Sequence, residues 1–562
     1  MDVSPKALSN GQRAADLERM AASELDLIVI GGGVTGAGVA LDAAGRGLSV
    51  GLVEQRDYAS GTSSRSSKLL HGGLRYLEQM EFSLVREALA ERNLMLNRLC
   101  PHLARPVSFV YPLQHRVWER AYVGSGVLLY DGLASLAASP LPHPKHLSQT
   151  ALLELAPGID PESAVGGIRY WDAQVDDARH TMMIARTAAS LGAAMAPSTR
   201  VTGLLEEDGR VGGVEALSLE SRRTFGLRAK KVINATGVWS GDLQRMASDG
   251  GLTVEASKGI HLVVPKDRIR SDSGLILRTE KSVLFVIPWG EFWIVGTTDT
   301  PWTLGRAHPA ASRSDIDYLL RWANSVLVDD LTPDDVVGVY AGLRPLLKGE
   351  SDETSKLSRE HAVLESENGL VSIAGGKYTT YRVMAEDAID VAFPDAPPSR
   401  SEDIPLVGAA GYAEAVDAEP RHGVDSEAWQ RLLGRYGGLV DEVLAPAEGH
   451  RDLLEPVTDD APYLRAEILY GVTHEGALHL DDMLTRRTRL SIETSDRGVD
   501  SVEAVADVMG DVLGWTEGDR DDEVAHYVAR VEAERDSQTQ WDDRTADAAR
   551  MGAPDVRTGE SE

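Results

Sequence analysis

The sequence predicts an α/β fold: a nucleotide-binding domain on a parallel sheet, a second mixed sheet inserted into it, and a C-terminal α-helical domain. Three observations carry that prediction. An apolar run, a glycine turn and a helical segment follow one another over 25–54. Strand-like segments that would complete such a domain recur far downstream, at 227–237 and 369–393, with other strands between them. Beyond about residue 400, β-branched runs give way to charged segments of helical spacing. At 562 residues the chain exceeds what one simple core organises, so two or three domains are expected.

Residues 1–24 are polar and read as an extension outside the core. Leu25 to Ile30 is a short apolar run rich in Ile and Val, as in a parallel strand buried on both faces. Gly31-x-Gly33-x-x-Gly36 follows it and opens a helix, and Leu48 to Glu54 is the next strand. The glycines allow a tight turn and close approach of the backbone to a pyrophosphate, which rests on the positive end of the helix. Glu54, at the end of the second strand, is placed to accept hydrogen bonds from ribose hydroxyls.

The glycine turn alone does not choose between FAD and NAD. After Glu54 the chain enters a Ser/Gly-rich loop, QRDYASGTSSRSSKLLHGGLRYL, whose N–H and hydroxyl groups suit a long cofactor. A late turn at Gly375-Gly376-Lys377 opens another helix and offers a second anion site, fitted to a flavin carbonyl on which charge builds during reduction. Phe285–Pro288 and Phe292–Thr297 read as strands of the inserted sheet.

The nucleotide-binding domain is therefore discontinuous, at about 25–100, 150–250 and 340–400, with the inserted domain at about 101–149 and 251–339. Residues 401–540 form the helical domain, and 541–562 read as a polar, disordered tail.

A net charge of −30 argues against nucleic acid, whose phosphates are bound by an excess of Lys and Arg. Cys100 is the only cysteine, which excludes an intrachain disulfide, a thiolate zinc site and an iron–sulfur cluster; no metal site is expected. Residues 1–24 lack the apolar core of a signal peptide. No run approaches the roughly 18–20 apolar residues of a membrane span. A cytoplasmic protein is expected, with membrane contact limited to peripheral docking on the inner face of the cell membrane, although no strongly basic amphipathic helix is evident.

IVIGGGVTGAGVALDAAGRGLSVGLVE followed by SSRSSKLLHGGLRYLE resembles the FAD-dependent glycerol-3-phosphate dehydrogenase family. The likeness continues through VDDAR (175–179), INATGVW (233–239), KGIHLVVP (258–265), VGTTDT (295–300), GLRPL (342–346), SREH (358–361) and GGKYTTYR (375–382), and more loosely through YGVTHEGALHLDDMLTRRTRL. The resemblance implies a glutathione-reductase-like FAD-binding domain, a mixed-sheet substrate domain above the flavin and a C-terminal helical cap. It implies that FAD is held by Gly31, Gly33, Gly36, Glu54, Ser63, Ser64, Lys68, His71, Gly72, Gly73, Val201, Ala235, Gly237, Gly376 and Lys377. It also implies oxidation of glycerol 3-phosphate to dihydroxyacetone phosphate, with quinone as acceptor and a homodimer as the family tendency.

A phosphorylated alcohol calls for permanent cations, and by the resemblance these are Arg75, Arg344 and Arg359, with Tyr76 and Lys377 beside them. The reaction needs a base for the hydroxyl proton, and His71 and His261 are the two candidates that titrate near the operating pH. The sequence does not choose between them. Lys377 would serve as base only if burial lowered its pKa; stabilising charge at the flavin is its expected role. The 33-residue interval from Arg344 to Lys377 lacks the insertion of oxygen-using relatives and points to the dehydrogenase branch. The alternatives are an oxidase using oxygen, an amino-acid or hydroxyacid oxidoreductase on the same fold, a non-catalytic FAD-binding protein, and an NAD-binding scaffold.

Overall fold

The computed structural model describes residues 4–73, 81–115, 117–136, 139–247, 251–280, 283–348 and 360–557. It is a mixed α/β structure with two main sheets and a helical C-terminal region.

The first sheet holds β1 (Leu25–Ile30), β2 (Val50–Val53), β7 (Ala194–Ala196), β8 (Thr199–Glu207), β9 (Arg210–Ser218), β10 (Thr224–Asn234), β17 (His361–Glu365) and β18 (Val371–Gly375). Its order is β17–β18–β10–β1–β2–β7, with β18 to β7 parallel and β9 turning back along β10. β2 is buried at every position and β1 at all but Asp26, which is why both read as continuous apolar runs.

Into this sheet is inserted a second one. It consists of β3 (Leu69–Leu70), β4 (Arg105–Leu113), β5 (Lys145–Ser148), β6 (Gly166–Gln174), β11 (Val254–Pro265), β12 (Gly274–Arg278), β13 (Val283–Trp289), β14 (Phe292–Gly296), β15 (Thr300–Trp302) and β16 (Gly338–Leu347). The pairing is antiparallel except between β4 and β12. β6 and β16 fall in segments that the sequence assigns to the nucleotide-binding domain. They belong to the inserted sheet instead, because β6 pairs with β4 over nine residues and β16 with β11 over ten.

Both ends of the chain also depart from expectation. Residues 10–22 form helix α1 (Asn10–Ala22), whose Leu17 and Met20 are buried in a core cluster with β1 and β10 residues. Gly51 of β2 has no side chain because a Cβ there would lie 2.4 Å from Met20 Sδ. The segment read as a disordered tail contains a helix, Asp543–Arg550, with Ala546 fully buried. Beyond it Arg557 is buried and donates to both oxygens of Asp482, each at 2.7 Å. Polar side chains at these ends turn inward: Arg13 donates to the Pro197 carbonyl, and Asp543 accepts from Lys258.

Candidate functional site

The glycine turn folds as its composition requires. Gly31 has φ +111°, and a Cβ there would come 2.7 Å from the Ala235 carbonyl oxygen. Helix α2 (Val34–Gly45) starts directly above the turn, and a Cβ at Gly36 would lie 1.9 Å from the Gly31 carbonyl oxygen. The third glycine therefore works by letting helix and turn touch. Ser63 accepts a hydrogen bond from the Val34 N–H (2.9 Å), fixing the serine loop to the first turn of α2. Glu54 accepts from the N–H groups of Gly32 (2.6 Å) and Arg56 (2.8 Å). Burial raises its pKa against the pull of those bonds.

These elements border a cleft of about 410 Å³. Gly31, Gly33, Glu54, Ser63, Val201, Ala235, Gly237, Gly376 and Lys377 all line it. Gly237, at φ +59°, has open space where a Cβ would stand, and Gly375 and Gly376, at φ +79° and +77°, turn the backbone where it borders the cleft. A cleft lined by a helix N-terminus, a buried carboxylate and a second glycine turn fits FAD. Gly36, Ser64, Lys68, His71, Gly72 and Gly73 are not in its lining. Lys68 lies behind the loop, donating to Asp177 at 2.7 Å and to the Ser64 carbonyl at 3.2 Å. Burial lowers its pKa, with Arg489 adding to the effect. The His71 backbone is tied to Thr379 and its ring meets Phe285 edge-on; Gly72 N–H donates to Tyr130.

Of the inserted sheet, Pro345 borders this cleft, whereas the predicted His261 and Arg344 are not in its lining. His261 lies on β11, opposite Gly296 of β14 and Tyr340 of β16. Its ring stacks on Tyr340 (centroids 4.7 Å apart, 13° between planes), and Nε2 lies 2.9 Å from Ser67 Oγ. A Cβ at Gly296 would come 2.3 Å from this ring, so that glycine makes room for it. Burial, then Arg344 and Lys68, push the His261 pKa well below its ordinary value. Arg344, on β16 two residues from the loop-contacting Gly342, donates to the Thr298 carbonyl and to Thr297 Oγ1, each at 3.1 Å, with Asp299 at 3.6 Å. Tyr340 donates to the Ser66 carbonyl (3.0 Å) and Thr62 to the Leu343 carbonyl (2.6 Å), so the serine loop is fastened to β16 at both ends. Arg75, Tyr76 and Arg359 lie outside the described residues.

Sequence reasoning missed Ser66, Ser67, Tyr340 and the role of Asp177. Asp177 accepts from the Ser66 N–H and hydroxyl, from Lys68 and from Arg489 of the C-terminal region, at 2.7–2.9 Å. The VDDAR segment was visible as a motif, but its role depends on partners over one hundred residues away.

Residues 26–382 match a family model described as FAD dependent oxidoreductase, and residues 399–520 match one described as the C-terminal domain of alpha-glycerophosphate oxidase. The chain is 54% identical over 560 residues to glycerol-3-phosphate dehydrogenase 2 of Mycobacterium tuberculosis, covering 98% of this chain and 95% of that one. It is 37% identical over 522 residues to the mitochondrial glycerol-3-phosphate dehydrogenase of Macaca fascicularis, covering 88% of this chain and 71% of that one. The solved glycerol-3-phosphate dehydrogenase of Bacillus halodurans complexed with FAD aligns with a TM-score of 0.76 and 30% identity, over 93% of this chain and 98% of that chain. An FAD-bound L-alpha-glycerophosphate oxidase from Mycoplasma pneumoniae shares the fold at a TM-score of 0.53 and 18% identity, over 67% of this chain and 97% of that one.

Proposed function

The chain belongs to the FAD-dependent glycerol-3-phosphate dehydrogenase family, and on that premise we propose that it oxidises sn-glycerol 3-phosphate to dihydroxyacetone phosphate and passes the electrons to a membrane quinone. The observation that carries the reading is His261 Nε2 at 2.9 Å from Ser67 Oγ, next to the cleft-lining Ser66, with the Arg344 charge acting on the same ring and Pro345 after it bordering the cleft. When bound, FAD supplies the hydride acceptor. Arg344 holds the phosphate dianion through parallel N–H donors. His261, kept neutral by burial and by two cationic neighbours, accepts the C2 hydroxyl proton, while Ser67 and Tyr340 fix its ring. Its clasped orientation favours it over His71 as the base. Lys377, in the cleft lining beside Gly376, sets positive charge where reduction places negative charge.

Quinone as acceptor is supported by the helix Trp118–Leu136. Trp118, Tyr122 and Leu129 lie along one of its faces and are 58%, 51% and 44% exposed, with Val117 and Leu128 adding 80% and 61%. Val127 and Tyr130 on the inner side are buried in the core. No helix among the described residues is long and apolar enough to cross a membrane, so this patch would dock at the surface. Glycerol 3-phosphate added without oxygen should bleach the oxidised flavin absorbance, and a quinone analogue should restore it faster than air does. A flavin left oxidised at millimolar substrate would refute the substrate, and faster recovery in air would move the chain to the oxidase reading.

A further inference from the structure

Val339, Tyr340 and Ala341 of β16 line a second cavity, of about 50 Å³. It is bounded by the serine loop at Ser64–Arg65, by residues 308–311, and by the helices Glu517–Thr539 and Asp543–Arg550. Its polar lining is strongly cationic. Arg65, Arg489, Arg530 and Arg550 face it, and Glu534 is the one carboxylate among the lining residues.

The charges do not balance. Arg489 is paired with Asp176 and Asp177 and Arg530 meets Asp481, but the single lining carboxylate, Glu534, is shared by Arg497 at 3.4 Å and by the charges of Arg530 and Arg550. Arg65 has a single hydrogen bond, to the Ala307 carbonyl at 3.1 Å, and no carboxylate partner among the described residues. Arg550 is 4% exposed, and among the described residues its guanidinium makes no hydrogen bond or ion pair. His308 Nδ1, on the same wall, is likewise buried without a partner. Burial and then mutual repulsion lower these groups: Arg65 falls well below its ordinary value, Arg530 to about 10, and His308 well below its own. A guanidinium scarcely gives up its proton, so the relief open to such a cluster is an anion.

We infer that this cavity binds a small tetrahedral oxyanion of the inorganic phosphate or sulfate kind, held between Arg65, Arg530 and Arg550. The volume suits it: the space exceeds that of one water and is too small for a nucleotide. Oxygens on several sides of one centre satisfy forked donors arriving from three segments. Occupancy would also tie the last helix of the chain to the serine loop, because Arg65 belongs to that loop and its carbonyl abuts Gly342 of β16.

The test must separate this cavity from the substrate pocket, which itself would take phosphate. Inorganic phosphate is titrated calorimetrically into the Arg344→Met holoenzyme, with chloride holding ionic strength constant. One phosphate per chain is expected, displaced by sulfate and weakened at least tenfold by adding Arg550→Gln. In the wild-type holoenzyme, Arg550→Gln should raise the melting midpoint in phosphate-free buffer, because it removes an unpaired buried charge, and should abolish the further rise that phosphate gives. No binding to Arg344→Met, or equal affinity with and without Arg550→Gln, would overturn the site. So would an Arg550→Gln protein that melts lower in chloride yet keeps its full response to phosphate. Should Arg550→Gln fail to fold, Arg550→Lys keeps the charge but loses the fork; it is expected to weaken binding several-fold, and unchanged affinity would again overturn the proposal.

Discussion

The roles proposed for His261 and Arg344 are made measurable by their surroundings. Ser67 and Tyr340 hold the His261 ring, and burial with Arg344 and Lys68 keeps it unprotonated well below its ordinary pKa. Replacing it with Asn should lower kcat by about 10²–10⁴-fold, the range for loss of a positioned base. The bound flavin, measured by absorbance, should be retained. The acidic limb of the kcat–pH profile should lie below pH 6.5, because a lowered pKa moves the protonated, inactive form to lower pH. Arg344→Ala should act mainly on KM, raising it far more than it weakens FAD binding; equal effects on both would make Arg344 structural. The choice between His71 and His261 was closed to the sequence, since both are histidines within motifs and nothing local shows which one faces the substrate. The proposal of His261 draws on a strand register that joins residues 261, 296 and 340.

At the scale of elements, the strand–turn–helix units at 25–54 and 371–392 were legible because their apolar periods and glycines are local. The serine loop was read as a cofactor contact, and Thr62, Ser63 and Ser66 do line the cleft, but the fastening that shapes the loop was not legible. Thr62, Ser66, Ser67 and Lys68 find their partners on β16, β11 and the Asp177–Ser190 helix. The Trp118–Leu136 helix resisted reading for another reason. Its outer face has few charges, so neither a basic amphipathic signature nor a membrane-span signature marks it, and its exposure appears only once the inner face is seated on the sheet. Changing Trp118 and Leu128 together to Glu should abolish co-sedimentation with vesicles of bacterial lipid, while turnover with a soluble dye stays within about two-fold. Unchanged sedimentation would remove this helix as the docking surface.

For the whole molecule, the C-terminal region is bolted to the rest by buried ion pairs. Arg179 meets Glu475 through two bonds of 2.6 Å, and Arg486 and Arg487 both grip Asp57. Breaking one partner of such a pair costs several kcal/mol, roughly 3–5 by precedent. His479 adds a pH-dependent fastening between Glu523 (2.6 Å) and Glu220 (3.1 Å). Burial opposes its charge, yet the two carboxylates prevail and raise its pKa to about 9. A raised folded-state pKa gives stability that is full below the unfolded value of about 6.5 and lost as pH climbs through 9. Thermal midpoints of the holoenzyme should therefore fall between those limits, and His479→Gln should flatten that slope. An identical slope in both proteins would assign the pH dependence to other groups.

The strand order of the first sheet also bears on how the chain is made. β1 lies between β2 and β10, and β10 lies between β1 and β18, so neighbours in the sheet come from residues 25–30, 224–234 and 371–375. At roughly 5–20 residues per second, translation from Ile30 to Val371 takes about 17–70 s. Over that time the ribosome holds a nascent chain whose most apolar strands lack their full set of neighbours. Delayed pairing of this kind exposes apolar strand edges during synthesis, and the cleft lining is complete only after the Gly376 turn has emerged.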